Sequence, residues 1–190
     1  MDTAPLRVAV IIGSTREGRV GERIGRWFAG QASRRTDLAV TVVDLATYDF
    51  PARYPAGTTA AMAAFVAEVG RADAIVVVTP EYNHSFPASL KQAIDYAYDE
   101  WRAKPVGFVS YGCHSHGMHA VDQLRTVFTA LHAVTMPDGV GLDVLNCGSD
   151  DRLRRPDDDA YAPAVATLLD QLHWWGLALR DARAARPYVS

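Results

Sequence analysis

Residues 8–21 read VAVIIGSTREGRVG, an apolar, β-branched run that stops at Gly13 and opens into a glycine-spaced turn carrying Ser14, Thr15, Arg16 and Arg19. Val8, Val10, Ile11 and Ile12 are apolar without strict alternation, the pattern of a strand covered on both faces and so of a central strand in a parallel sheet. A helix start is expected after the turn. Glycines there let the backbone approach a ligand, hydroxyls and amide N–H groups donate to oxygens, and the positive end of the helix dipole favours negative charge. Ser14, Thr15, Arg16 and Arg19 are the donors a phosphate requires.

Three kinds of phosphate loop begin this way, and spacing separates them. Gly13 and Gly18 match the start of G-x-x-x-x-G-K-[ST], but Arg19 and Val20 stand where the lysine and the magnesium-binding hydroxyl belong. The fingerprint G-x-G-x-x-G fails at Thr15. The loop of flavodoxin-like proteins, which wraps one terminal phosphate in hydroxyls and amides, remains compatible. The plain alternative is a strand-to-helix turn whose arginines face solvent.

A chain of 190 residues suits one α/β domain, and about 70% of the extended surface can be buried at this size. Charged residues make up 22% and the net charge is -3, with neither a basic block nor an acidic tail. No nucleic-acid or membrane-surface partner is expected; a small ligand is. Cys113 and Cys147 cannot form a metal-ligand pattern by themselves, and a reducing cytosol is the simplest home for them. MDTAPLR, ahead of Val8, is too short for a signal peptide, and no run approaches the roughly 20 apolar residues of a membrane span. The expectation is a cytoplasmic protein.

Along the chain, helical spacing of Ile24, Trp27 and Phe28 predicts a helix over 22–34, and LAVTVVDL a strand over 38–45. Residues 46–58 mix Pro51, Pro55 and Gly57 with Tyr48, Phe50 and Tyr54, which reads as a structured loop. A helix over 59–72 precedes AIVVVT at 74–79, a short run apolar throughout and the clearest buried strand. Pro87 in the first turn and Ser85 as cap predict a helix over 88–101. VGFVS at 106–110 is a fourth strand, 121–132 a further helix, and 133–147 a fifth strand interrupted over 137–141. GSDDRLRRPDDD is a charged turn before a last helix over 160–184. Leu168, Leu169, Leu172, Trp175, Leu177 and Leu179 cover more than one face of that helix, so it is expected to pack on the sheet and on a neighbour, a second copy of the chain being one candidate. Strand and helix alternate five times, which makes a doubly wound parallel sheet the economical fold. No repeat or composition break divides the chain, and residues 1–190 are read as a single domain.

In such sheets ligands sit beyond the carboxyl ends of the strands. The loops after strands one, three and four are GSTREGRVG, PEYNHSFP and SYGCHSHG, and these three carry the unusual chemistry. Together they resemble the NADPH-dependent FMN reductase family, over most of residues 6–135. The resemblance implies a flavodoxin-like α/β fold, a five-stranded parallel sheet of order 2-1-3-4-5 with helices on both faces. It maps the FMN phosphate loop onto Gly13, Ser14, Thr15 and Arg16, with Arg19, Val20 and Gly21 continuing the cradle. Pro80, Glu81, Tyr82 and Asn83 would lie against the flavin ring, completed by Ser85, Pro87 and LKQAIDY. Ser110, Tyr111 and Gly112 would offer backbone N–H groups to the pyrimidine edge. A flat electron-accepting ring needs such amides at its edges, apolar walls and one open face.

One departure is plain. After Ser110, Tyr111 and Gly112, where a second glycine is usual, stands Cys113, followed by His114, His116 and His119 around Gly117. The run H-x-H-x-x-H contains no carboxylate, so no metal site is expected; the plain reading is exposed loop histidines, and the functional one makes His84, Cys113, His114 and His116 candidate substrate contacts. The implied activity is NAD(P)H oxidation with reduction of a small acceptor (quinone, free flavin, azo compound or metal oxyanion) by ping-pong hydride transfer, with no side-chain nucleophile. A homodimer or homotetramer is implied as well. A flavodoxin-type electron carrier and a biosynthetic flavin-dependent reaction are the alternatives.

Overall fold

The computed structural model describes residues 4–113, 115–143 and 158–189. His114, Cys147 and most of GSDDRLRRPDDD lie outside them. The elements are β1 (Leu6–Ile12), α1 (Gly21–Ala32), β2 (Leu38–Asp44), α2 (Ala60–Arg71), β3 (Ala74–Pro80), α3 (Ala88–Tyr96), β4 (Pro105–Gly112), α4 (Met118–Ala130), β5 (Val134–Thr135), β6 (Val140–Asp143) and α5 (Asp158–Ala185). All strand pairs are parallel, in the order β2-β1-β3-β4-β5, with β6 also on β4. This is the doubly wound sheet expected from the alternation of elements.

Two-residue periodicity explains how one apolar strand serves two cores. Val8 and Val10 of β1, with Val76, Val78 and Val109, meet Ile24 and Phe28 of α1 and Leu168, Leu169 and Leu172 of α5. Ala9 and Ile11, with Ile75, Val77 and Phe108, meet Phe65 of α2, Leu90 and Ile94 of α3 and Phe128 of α4. Each such valine, isoleucine, leucine or phenylalanine, fully buried, contributes roughly 1.5–3 kcal/mol. The aromatic loop is structured as expected: Tyr48 and Phe50 stack at 5.4 Å, and both pack edge-on to Phe65.

The fifth strand is split. β5 pairs with the start of β4 and β6 with its end, and the carbonyls exposed by the break go to one side chain: Arg125 donates to Met136 O at 2.5 Å and Pro137 O at 2.9 Å. Pairing with β3 and β6 also carries β4 to Gly112, two residues beyond the predicted end at Ser110. The helix predicted over 88–101 ends at Tyr96. Ala97 turns extended, and the chain doubles back to bury Trp101, whose indole donates to Ile94 O at 3.1 Å. Ser85 does not cap α3; its hydroxyl donates to Gln123. α5 sends its leucines into the core, while Trp174 and Trp175 stack edge-to-face on the outside.

Candidate functional site

The loop after β1 is fastened before it turns. Gly13 N–H donates to Val78 O at 2.9 Å, joining it to β3, and the Arg19 guanidinium reaches back to Ser14 O at 2.8 Å and to both carboxylate oxygens of Asp44. Arg19 therefore shapes the cradle and does not present a free fork to it. Thr15 and Arg16 are exposed at the rim; among the described residues no side chain pairs with Arg16. α1 starts at Gly21 with Val20 in the capping position and no side-chain cap. No side chain at the capping position covers the start of the helix, the arrangement that binds anions.

Under these amides lies a buried hydroxyl. Ser14 is fully buried and its Oγ lacks a hydrogen-bond partner in good geometry among the described residues, a state that costs about 1–3 kcal/mol unless something satisfies it. A Cβ added at Gly21 would overlap both Ser14 Oγ and Tyr111 Oη, so only glycine fits there. Burial pushes the Tyr111 phenol up to about 12, against the opposing pull of the Ser14 hydroxyl and Arg19. Tyr111 is consequently a neutral floor to the first loop. Its backbone, and that of Ser110, lies inside a strand paired on two sides, which leaves the open part of the third loop to begin after Gly112.

The second loop leaves β3 at Pro80, and Glu81 N–H donates to Tyr111 O at 3.0 Å. Tyr82 and Ser85 then exchange backbone hydrogen bonds of 2.8 and 3.0 Å around Asn83 and His84, at φ 50° and 61°. Two left-handed residues in a tight turn normally call for Asn-Gly. Asparagine suits the first position; histidine at the second is strained, by about 1–3 kcal/mol, a cost that clusters at working sites.

Glu81 turns toward the third loop. Its Oε2 accepts from Ser115 Oγ at 2.5 Å and His119 N–H at 3.2 Å, and its Oε1 lies 3.0 Å from His119 Nδ1. Burial alone would raise this carboxyl, but the hydrogen bonds from Ser115 and His119 outweigh it and hold it below the usual range. Gly117, at φ 83°, starts α4 where any Cβ would strike Ser110 and Tyr111 N. Ser110 is buried and donates to His116 O at 2.8 Å.

The three loops thus meet at one end of the sheet. Ser14, Gly21 and Tyr111 join the first to the third, Glu81 and Tyr111 the second to the third, and Gly13 packs beneath Leu90 of α3. The histidines do not gather into one group. The His84 and His119 rings stack at 4.2 Å beside Glu81, whereas His116 lines a separate groove of about 520 Å³ with Met118, Asp122 and Arg125 beside β6. Cys113 is exposed with a free thiol. The pairing of Arg19 with Asp44 and that of Glu81 with Ser115 and His119 are not evident from motifs. The one available signal was Asp44 itself, a carboxylate closing an apolar strand.

The sequence model described as NADPH-dependent FMN reductase matches residues 6–144, which includes all three loops. The chain belongs to the NADPH-dependent FMN reductase family. It is 34% identical over 143 residues to an NAD(P)H-dependent FMN reductase of Schizosaccharomyces pombe, covering 69% of this chain and 71% of that protein. A quinone reductase of Pseudomonas putida is also 34% identical over 143 residues, with 69% and 75% covered. Among solved structures, the NAD(P)H:(acceptor) oxidoreductase FerB of Paracoccus denitrificans superposes with a TM-score of 0.72 at 20% identity, over 91% of this chain and 98% of that one. A Pseudomonas aeruginosa flavodoxin superposes at 0.58 and 21% identity, over 88% and 99%. These two likenesses establish the flavodoxin-like fold of this FMN reductase family member.

Proposed function

We propose that this chain is an FMN-dependent oxidoreductase that oxidises NAD(P)H and reduces a small acceptor of the quinone, free flavin, azo or metal oxyanion class. The observation that carries the reading is the buried Ser14 hydroxyl, with Tyr111 beside it but no hydrogen bond in good geometry among the described residues, beneath the uncapped start of α1. A terminal phosphate would satisfy both. Ser14, Thr15, Arg16 and the first amides of α1, from Gly21 on, would hold it, with Arg19 fixing the loop. Pro80, Glu81, Tyr82 and Asn83 would border the ring, with the residues after Gly112 across from them.

FMN, when bound, would supply the two-electron redox chemistry that links nicotinamide oxidation to reduction of the acceptor. The protein residues then have positioning work. Tyr111 closes the floor as a neutral phenol and Leu90 walls the cradle against water. Arg19 and Asp44 keep the phosphate turn in shape. No side-chain nucleophile is needed. Donor and acceptor share one open face in turn, which makes the kinetics ping-pong, and Trp174 and Trp175 supply an apolar surface for two-fold association. No helix among the described residues is long and apolar enough to cross a membrane.

The test is direct. The full chain is incubated with FMN, freed of excess, and assayed with NADH or NADPH and a simple benzoquinone. Retained yellow colour and parallel double-reciprocal lines are expected. Failure to bind FMN overturns the proposal. FMN binding with only slow single-electron exchange would favour an electron carrier instead.

A further inference from the structure

Within H-x-H-x-x-H no carboxylate stands beside the histidines, which on sequence alone speaks against a metal. Folding supplies a carboxylate from another loop. Glu81, His84 and His119 each offer a donor atom, and these atoms lie within 4.8 Å of one another. We propose that Glu81, His84 and His119 form a binding site for a divalent first-row transition metal ion, with Zn²⁺ as its reference ligand.

Two imidazoles and a carboxylate are a donor set that such ions favour. Around an ion with bonds of about 2.0–2.2 Å, tetrahedral donors stand about 3.3 Å apart. Glu81 Oε1 and His119 Nδ1 are at 3.0 Å already. The His84 ring lies parallel to that of His119, 6° between planes, and both histidines are exposed enough to pivot inward. In taking the pair, the ion replaces the proton they share.

The surroundings resemble the outer support that ligating groups usually have. Ser115 Oγ and His119 N–H fix Glu81 through Oε2, leaving Oε1 for the ion. Gln123 Nε2 donates to His84 O at 2.8 Å, and Gln123 Oε1 accepts from Ser85 Oγ at 2.6 Å. The left-handed turn at Asn83 and His84 sets the His84 ring against that of His119, its donor atom within 4.8 Å of the other two. Three protein ligands leave a fourth position for water or an oxygen-bearing acceptor, at the edge of the cleft where the second and third loops meet. The site stands on these residues alone and does not depend on FMN.

The full chain, stripped with EDTA and dialysed, is titrated calorimetrically with ZnCl₂, and its melting temperature is followed with and without the ion. One Zn²⁺ per chain is expected, with Kd in the micromolar range and a raised Tm. His84→Gln and His119→Gln should each weaken binding at least tenfold and abolish the Tm shift, read against each variant's own metal-free melt. His116→Gln should bind as the parent does. The proposal is overturned by Kd weaker than about 100 µM in the parent, by binding retained in the double variant His84→Gln/His119→Gln, or by loss on His116→Gln.

Discussion

Arg19 grips Asp44 through two parallel hydrogen bonds of 2.7 and 2.6 Å, with both side chains largely withdrawn from water. The pair joins the carboxyl ends of β1 and β2, and the same guanidinium holds Ser14 O. Removing Asp44 leaves the largely buried Arg19 guanidinium with only Ser14 O and, at 3.7 Å, the half-exposed Glu22. Asp44→Ala should lower the unfolding free energy by about 3 kcal/mol, measured by urea denaturation of the FMN-free chain. The double variant Arg19→Leu/Asp44→Leu should lose less, since no lone charge remains. Equal losses in the two would show that pairing is not what Asp44 contributes.

Ser14→Ala separates holding a phosphate from holding the fold. Deleting an unsatisfied buried hydroxyl should leave the FMN-free chain as stable or up to about 1 kcal/mol more stable. FMN affinity should meanwhile drop about tenfold, near 1.4 kcal/mol. Riboflavin, which lacks the phosphate, should bind parent and variant alike. Fluorescence titration with both flavins decides it, and a matching loss for riboflavin would remove Ser14 from the cradle.

Gly21→Ala places a methyl group against Ser14 Oγ and Tyr111 Oη. FMN retention on gel filtration should fall sharply, because the start of α1 must move away from the turn. Adding Tyr111→Phe deletes one of the two obstructing oxygens and should recover part of the binding. No recovery in the double variant would mean that the phenol does not limit how close α1 comes.

Lys104 is buried, its ammonium donating to Val69 O at 2.7 Å and Gly70 O at 3.0 Å at the end of α2. Burial, reinforced by Arg183 and Arg7 and opposed by Asp73 and Glu100, brings it down from 10.5 to about 8. Between those two values the unfolded chain holds a proton that the folded chain lacks, so this group makes stability rise with pH across that window. Below about 8 both states are protonated and the penalty, on the order of 3 kcal/mol, is present in full. Lys104→Met should flatten the rise, read as urea unfolding free energies at several pH values from about 7 to 10. Parallel profiles for parent and variant would assign the slope to other groups.

Local pattern carried the reading far in some places and failed in others for identifiable reasons. The run at 74–79 is β-branched and apolar in both alternating sets, so it could only be a strand with a core on each side, and β3 is that strand. The three loops were recognisable because strand ends are where a parallel sheet leaves its ligand-facing turns. What escaped was long-range. α3 stops at Tyr96 because Trp101 is drawn back against Phe65 and Phe128, a pull that helical spacing cannot register. β4 runs on to Gly112 because β6, far along the chain, pairs with it. His119 finds its carboxylate 38 residues away, so counting within the histidine run could not reveal Glu81.

The break between β5 and β6 bears on how the molecule avoids its own kind. A continuous outer strand offers a stranger's backbone a ladder to climb, the usual route to ordered aggregates. Here two and four residues flank a gap whose carbonyls Arg125 already occupies. Among the described residues, a second molecule arriving at that side of the sheet meets no uninterrupted rail, which favours helix surfaces for protein-to-protein recognition there.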